Sequence, residues 1–174
     1  MSSLNQPIAT LHTLLLFEAG QCSSGEMQLR AALPDWILKA RSPKLREVLK
    51  RYQGQVESHI SELGAFIESQ GILAGETRNG MVAVFTQYTD EKLASCADHE
   101  VCDAALLAAI QAINHYKISL YGTAAAWART IGMEPAEHLF RKAEMNEKQT
   151  DDRLSQLAEF EINEKAKAPL SMDA

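Results

Sequence analysis

Residues 42–71 read SPKLREVLKRYQGQVESHISELGAFIESQG and carry the clearest structural signal in the chain. Ser42 suits the N-cap of a helix, Pro43 suits its first turn, and Gly71 suits its end. Between them, apolar residues and one histidine recur at spacings of three and four: Leu45, Leu49, Tyr52, Val56, His59, Leu63 and Phe66. This pattern predicts an amphipathic helix of about 40 Å, the length of a bundle helix.

The same helical period continues on the N-terminal side and predicts a helical region over residues 7–41. Gly20 and Gly25 weaken its middle, so we expect a break near residues 19–25. We also expect a kink at Pro34, because proline deletes a backbone donor and clashes with the preceding turn.

Helical periodicity also dominates the C-terminal side of the segment. A connection is expected over residues 71–80 and a loose tail over residues 166–174. Three further helices are expected, one short and two long: 81–95, 98–132 and 135–165.

Four long amphipathic helices predict a single all-α domain over residues 1–174, with a bundle core at 7–165. Their narrow apolar stripes must pack on each other to leave water. The connection between the second and third long helices is too long for a simple turn. We therefore expect an antiparallel four-helix bundle with a crossover connection that carries the short helix.

Composition and charge exclude several classes of protein. The chain has 17 Lys+Arg and 23 Asp+Glu, a formal net charge of −6. An acidic protein is a poor partner for nucleic acid, because binding requires a basic face that displaces counterions from phosphates. We expect no signal peptide and no membrane span. The three cysteines, Cys22, Cys96 and Cys102, suggest reduced thiols in a cytoplasmic protein.

Each long helix carries a polar residue on its apolar stripe. These residues are Glu26, His59, Lys117 and Glu147, and Asn114 lies at the shoulder of the stripe that contains Lys117. Singly, a histidine in such a place is most often hydrogen-bonded in the core, and a glutamate or lysine reaches solvent from the edge. Together, they predict a shared polar layer, because an unpaired buried charge costs several kcal/mol. Tyr52 and Tyr121 are interpreted as core packing residues with a satisfied hydroxyl, rather than as radical or proton-relay residues.

A bundle with a polar layer invites comparison with di-metal carboxylate proteins. Those bundles place one Glu on each of two helices and a Glu-x-x-His pair on each of the other two. Here the pattern is incomplete, because no Glu-x-x-His places both ligands on a stripe. The residues alone leave open whether the polar groups meet each other, a metal ion or water.

Three segments resemble the YciE/YciF-like branch of the ferritin-like proteins. Residues 103–123, DAALLAAIQAINHYKISLYGT, are similar to the third-helix signature of that family. Residues 146–151, NEKQTD, resemble its fourth-helix motif, and residues 26–34, EMQLRAALP, resemble its first-helix motif. The resemblance covers about residues 22–160 and implies a ferritin-like bundle, a homodimer and a link to bacterial stress.

The family's metal ligands are only partly present in this chain. The resemblance places the two third-helix carboxylates of the family on Asn114 and Lys117. It places the second-helix carboxylate region on Gly54 and Gln55, and a following glutamine on His59. The carboxylates that match are Glu26, Glu147 and Asp151.

Two functional hypotheses follow. In the first, the di-metal centre is lost, no cofactor is expected, and the protein is non-enzymatic. Lys117 then replaces the positive charge of the metal and bridges Glu26 and Glu147, and the side chains that complete the hydrogen bonds are Gln55, His59 and Asn114.

In the second hypothesis, a single Fe, Mn or Zn ion remains bound in an oxygen- or peroxide-reactive oxidoreductase. The ligands would be Glu26, His59, Glu147 and Asp151, since three or four nitrogen and oxygen donors can hold such an ion.

Overall fold

Six α-helices run through the residues that the computed structural model describes, 7–71 and 78–167. They are α1 (Leu11–Lys39), α2 (Pro43–Ser69), α3 (Gly80–Ala94), α4 (His99–Thr130), α5 (Glu134–Leu157) and α6 (Asn163–Lys167), with a π-helical turn at Ala158–Ile162. The predicted all-α fold is confirmed, and so is the short helix in the crossover. None of the helices in these two ranges is long and apolar enough to cross a membrane.

The four long helices form two hairpins that pack side by side. α1 pairs with α2, α4 pairs with α5, and the contacts of α1 with α4 and of α2 with α5 close the bundle. The end of α1 meets the start of α4, where Asp103 accepts hydrogen bonds from Arg41 and Ser42. α1 and α4 are therefore antiparallel, so α2 and α4 run in the same direction. Such a pair requires a crossover, and α3 lies on α1 and α4 within it.

The helix ends follow the signals in the sequence. The Ser42 side chain accepts a hydrogen bond from the backbone N–H of Leu45 at the start of α2, as predicted. Asp98 caps α4 in the same way, through the N–H groups of Glu100 and Val101. Gly71 follows α2 with φ of 66°, a left-handed conformation that favours glycine at the end of a helix.

The predicted break in the first helix is wrong. α1 is continuous over residues 19–25, and it also continues past Pro34 to Lys39. A side chain at position 25 would meet Val82 Cγ2 at 3.2 Å and Asn79 Nδ2 at 3.3 Å. Gly25 is therefore a site of close helix approach, and tertiary packing outweighs its weak helix propensity of about 1 kcal/mol.

Polar contacts hold both ends of α3 on α1. The backbone N–H of Asn79 donates to Ser24 Oγ at 3.0 Å, and its side-chain amide donates to the carbonyl of Gln21 at 3.0 Å. Near the other end, the buried indole of Trp36 donates to Asp90 Oδ1 at 2.8 Å. The crossover helix is therefore fixed in position along one side of the bundle.

The last predicted helix, 135–165, is not one continuous α-helix. It is interrupted by the π-helical turn, which buries Ile162 and leaves Phe160 76% exposed. Glu161 in this turn forms an ion pair with Lys44 of α2 at 2.5 Å. Most of the predicted tail, 168–174, lies outside the described residues, as do residues 72–77 of the predicted connection.

Replacing Asp103 by alanine is expected to lower the free energy of unfolding by about 2–3 kcal/mol. Its buried carboxylate accepts hydrogen bonds from the N–H groups of Arg41 at 2.8 Å and Ser42 at 2.7 Å, so both donors would lose their partner. Urea denaturation measures the change. The exposed Asp152→Ala on α5 serves as control and should change stability by less than about 0.5 kcal/mol. Equal effects of the two substitutions would contradict the prediction.

Candidate functional site

The middle of the bundle contains polar side chains between two apolar clusters. Spacings of three and four place the members from α2, and those from α4, on one face of their helix. We name the following residues the polar layer: Glu26 of α1; Tyr52, Gln55 and His59 of α2; Asn114, Lys117 and Tyr121 of α4; and Glu147 of α5. One apolar cluster, with Leu29 and Val56, lies on one side of this layer, and the other, with Cys22 and Leu63, lies on the opposite side.

Lys117 lies at the centre of the polar layer. Its ammonium donates to Glu147 Oε1 at 2.7 Å, to Glu26 Oε2 at 3.0 Å and to the Tyr52 hydroxyl at 3.0 Å. These contacts use all three ammonium protons. The side chain is buried, and burial alone would lower the pKa of Lys117; the carboxylates of Glu147 and Glu26 outweigh it and hold this pKa well above its usual range. Lys117 is therefore a buried cation that keeps its proton at neutral pH.

Glu26 is held as a carboxylate by three donors. Besides the ammonium of Lys117, His59 Nδ1 donates to Glu26 Oε1 at 3.0 Å, and the Tyr121 hydroxyl donates to the same oxygen. Burial alone would raise the pKa of Glu26, but Lys117 and the contacts with His59 and Tyr121 lower it below its usual value. The other ring nitrogen of His59 lies 3.2 Å from the side-chain amide nitrogen of Asn146.

Glu147 is fully buried and receives donors from both neighbouring helices. From α2, Gln55 Nε2 donates to Oε1 at 3.1 Å, and the Tyr52 hydroxyl lies 3.2 Å from Oε2. From α4, the Asn114 side-chain amide donates to Oε2. Thr150 in turn donates to the amide oxygen of Gln55 at 3.2 Å, which orients that side chain. Gln55, Asn114 and Lys117 thus meet at Glu147.

Sequence reasoning predicted packed tyrosines with satisfied hydroxyls at positions 52 and 121, but it did not assign the partners of those hydroxyls. Tyr52 and Tyr121 are buried, as packing residues would be, but their hydroxyls contact the two carboxylates. A signal was present: Tyr121 follows Lys117 by one helical turn, and Tyr52 lies two turns before His59 on the same stripe. Burial raises the pKa of both tyrosines well above the usual range, so both stay protonated as donors.

Asp151 does not join the other three predicted metal ligands. Its carboxylate accepts from Gln111 Nε2 at 3.2 Å and lies 3.0 Å from His115 Nε2, towards the surface of α4. Asp151 follows Glu147 by four residues, but its side chain turns to a partner on α4 rather than to the centre of the bundle. The predicted ligand set therefore reduces to Glu26, His59 and Glu147, which offer ligand atoms within 4.8 Å of one another.

The polar layer does not fit a two-metal centre. Such centres use four carboxylates and two histidines, whereas this layer has Glu26, Glu147 and a single histidine. The Lys117 ammonium also contacts both carboxylates at 3.0 Å or less, which is the place a bridging cation would need. Two carboxylates and one ammonium leave a formal charge of −1.

Stability should fall steeply in alkaline solution. In the unfolded chain, Lys117, Tyr52 and Tyr121 lose their protons near pH 10, whereas folding raises all three pKa values. The stability that they contribute is therefore complete below about pH 10 and is lost as the pH rises. Each group contributes a slope of about 1.4 kcal/mol per pH unit. Denaturation between pH 9 and 11.5 measures the slope; Tyr121→Phe should make it shallower, and a flat profile would contradict the prediction.

Comparison with known proteins identifies the family of this chain. The chain matches the family described as Domain of unknown function (DUF892) over residues 10–167. Protein YciF of Escherichia coli (strain K12) is 30% identical over 159 residues, which cover 90% of this chain and 95% of that protein.

Two solved structures share the fold. The crystal structure of the E. coli stress protein YciF superposes with a TM-score of 0.83 and 26% identity, and covers 92% of this chain and 100% of the other. YcfI from Rhodopseudomonas palustris gives a TM-score of 0.83 and 27% identity, and covers 87% of this chain and 96% of the other. The resemblance seen in the sequence is confirmed, and the chain belongs to the DUF892 family of YciF-like proteins.

Proposed function

We propose that this protein is a non-enzymatic bundle protein with a structural role in bacterial stress, and that an internal ion cluster holds its centre in place of a metal site. The observation that carries the proposal is the position of Lys117 Nζ inside the core. This atom lies 2.7 Å from Glu147 Oε1 and 2.9 Å from Glu26 Oε1. A cation in that position removes the need for a dication between the two carboxylates.

The relatives support the role in stress and structure. YciF is described as a stress protein, and YcfI is described as a candidate structural protein. A degenerate centre agrees with a structural role, because a lysine amine held as ammonium has neither the redox chemistry nor the open coordination position of a catalytic metal.

Electrostatics explains how the cluster can replace a metal ion. Burying two carboxylates alone would cost several kcal/mol for each charge. The charge of Lys117 and the donors from Tyr52, Gln55, Asn114 and Tyr121 offset that cost. In the low-dielectric core, a network of this kind can contribute more to stability than the sum of its separate pairs.

A second candidate function is a single-metal protein that reacts with oxygen or peroxide. It is favoured by the ligand atoms of Glu26, His59 and Glu147, which lie within 4.8 Å of one another. In addition, Asn114 Oδ1 is the one buried side-chain oxygen or nitrogen without a hydrogen-bond partner in the part of the chain that the structure describes. It could serve as a further oxygen donor for Fe, Mn or Zn, provided that Lys117 moved or lost its proton.

Metal analysis separates the two candidates. Elemental mass spectrometry of the full chain, purified without chelators, should find far less than one Fe, Mn or Zn ion per chain. Adding each ion should leave the melting temperature unchanged, because a ligand that binds only the folded state would raise it. One ion per chain together with a metal-dependent rise in melting temperature would overturn the first proposal and support the second.

The oligomeric state stays a prediction. The family resemblance led us to expect a cytoplasmic homodimer, and we retain both as proposals. Sedimentation equilibrium of the full chain tests the dimer, and a single species with the mass of one chain would contradict it.

A further inference from the structure

Two cysteines lie together at the corner between α3 and α4, away from the polar layer. Cys96 is in the loop that ends α3, and Cys102 is in the first turn of α4. Cys102 Sγ lies 3.9 Å from the carbonyl oxygen of Cys96, so the two residues are neighbours at this corner. Both are free and partly exposed.

A cavity of about 430 Å³ opens beside these thiols. Three basic side chains line the cavity together with the cysteines. They are Lys39 at the end of α1, Arg41 in the connection to α2 and His99 at the start of α4. The cavity gives a small oxidant access to the sulfur atoms, whose thiolate is the reactive form of cysteine.

We propose that Cys96 and Cys102 form a dithiol that hydroperoxides convert into an intramolecular disulfide. In the first step, a thiolate sulfur attacks the peroxide O–O bond; hydrogen peroxide gives a sulfenic acid and one water. In the second step, the other thiol attacks the sulfenic sulfur, the S–S bond forms and the S–O bond breaks, which releases a second water. The two thiols lose two electrons in total, and the peroxide gains them.

The disulfide would tie the end of α3 to the start of α4. It would close the short loop over residues 96–102 and restrict the unfolded chain. We expect the oxidised protein to melt about 5 °C higher than the reduced protein.

The test uses the full chain, reduced and then exposed to equimolar hydrogen peroxide. We expect the intact mass to fall by about 2 Da, two of the three thiols to disappear, and a peptide that joins Cys96 to Cys102 to appear in a non-reducing digest. Dithiothreitol should reverse all three changes.

Three variants control the experiment. Cys22→Ala should behave like the parent protein, because Cys22 is buried in an apolar cluster remote from the pair. Cys102→Ser and Cys96→Ser should each stop at oxygen adducts of the remaining thiol and should not lose 2 Da. The proposal is overturned if the parent protein gains oxygen atoms on separate cysteines or forms disulfides between chains instead of losing about 2 Da.

Discussion

Replacing Lys117 by methionine is expected to lower the free energy of unfolding by about 3–5 kcal/mol. Methionine matches the length of the lysine side chain but removes the charge that contacts Glu26 and Glu147. Two buried carboxylates would then face each other, and one of them would take up a proton on folding. Chemical denaturation at neutral pH measures the loss.

An exposed lysine of α5 provides the matched control. Lys148 forms an ion pair with Glu144 at 2.6 Å, but its side chain is 55% exposed. Lys148→Met should therefore cost less than about 1 kcal/mol. The double variant Glu26→Gln/Lys117→Met should be more stable than Lys117→Met alone, since it removes one of the two opposed charges. A loss below about 1 kcal/mol for Lys117→Met, or no coupling with Glu26→Gln, would show that the ion cluster does not hold the core.

Replacing Lys117 by glutamate is expected to create a site for one divalent cation per chain. The change removes the cation that contacts Glu26 and Glu147 and adds a third carboxylate beside His59. The metal-free variant should be unstable, because three buried carboxylates repel one another. Mn²⁺ or Co²⁺ should restore stability, by about 2.7 kcal/mol at a concentration one hundred times the Kd.

Titration calorimetry and the visible absorption of bound Co²⁺ measure this gain of binding. Lys148→Glu is the matched control, because it makes the same change of charge on the exposed face of α5. We expect Lys148→Glu to bind no ion with comparable affinity. Equal binding by the two variants would show that the buried position of Lys117 is not a cation site.

The sequence predicted the helices well where caps and apolar stripes agreed. The limits of α2 follow from Ser42, Pro43 and Gly71, whose roles depend only on local backbone geometry. The break expected near residues 19–25 was wrong for the opposite reason. The place of Gly25 in a continuous helix depends on Asn79 and Val82, which are more than fifty residues away along the chain.

The candidate site was predicted in outline but not in detail. Polar residues on four stripes were enough to predict a shared layer, because buried charges must be paired. The family resemblance added the hypothesis that Lys117 bridges Glu26 and Glu147. The helical period does not fix which way a side chain at the edge of a stripe turns. Asp151 turned to His115, and the hydroxyls of Tyr52 and Tyr121 turned inwards.

The contrast between the polar layer and the apolar clusters around it has a consequence for the axial register of the four long helices. Aliphatic side chains tolerate a shift of one helix along its neighbour by a turn of about 5.4 Å, since one leucine can replace another in the contact. The charge of Lys117 tolerates no such shift, because its ammonium would then lie among hydrocarbon groups and both carboxylates would lose their counterion. We therefore expect the charges of the polar layer to select one axial register of the helices out of several that would bury similar amounts of apolar surface.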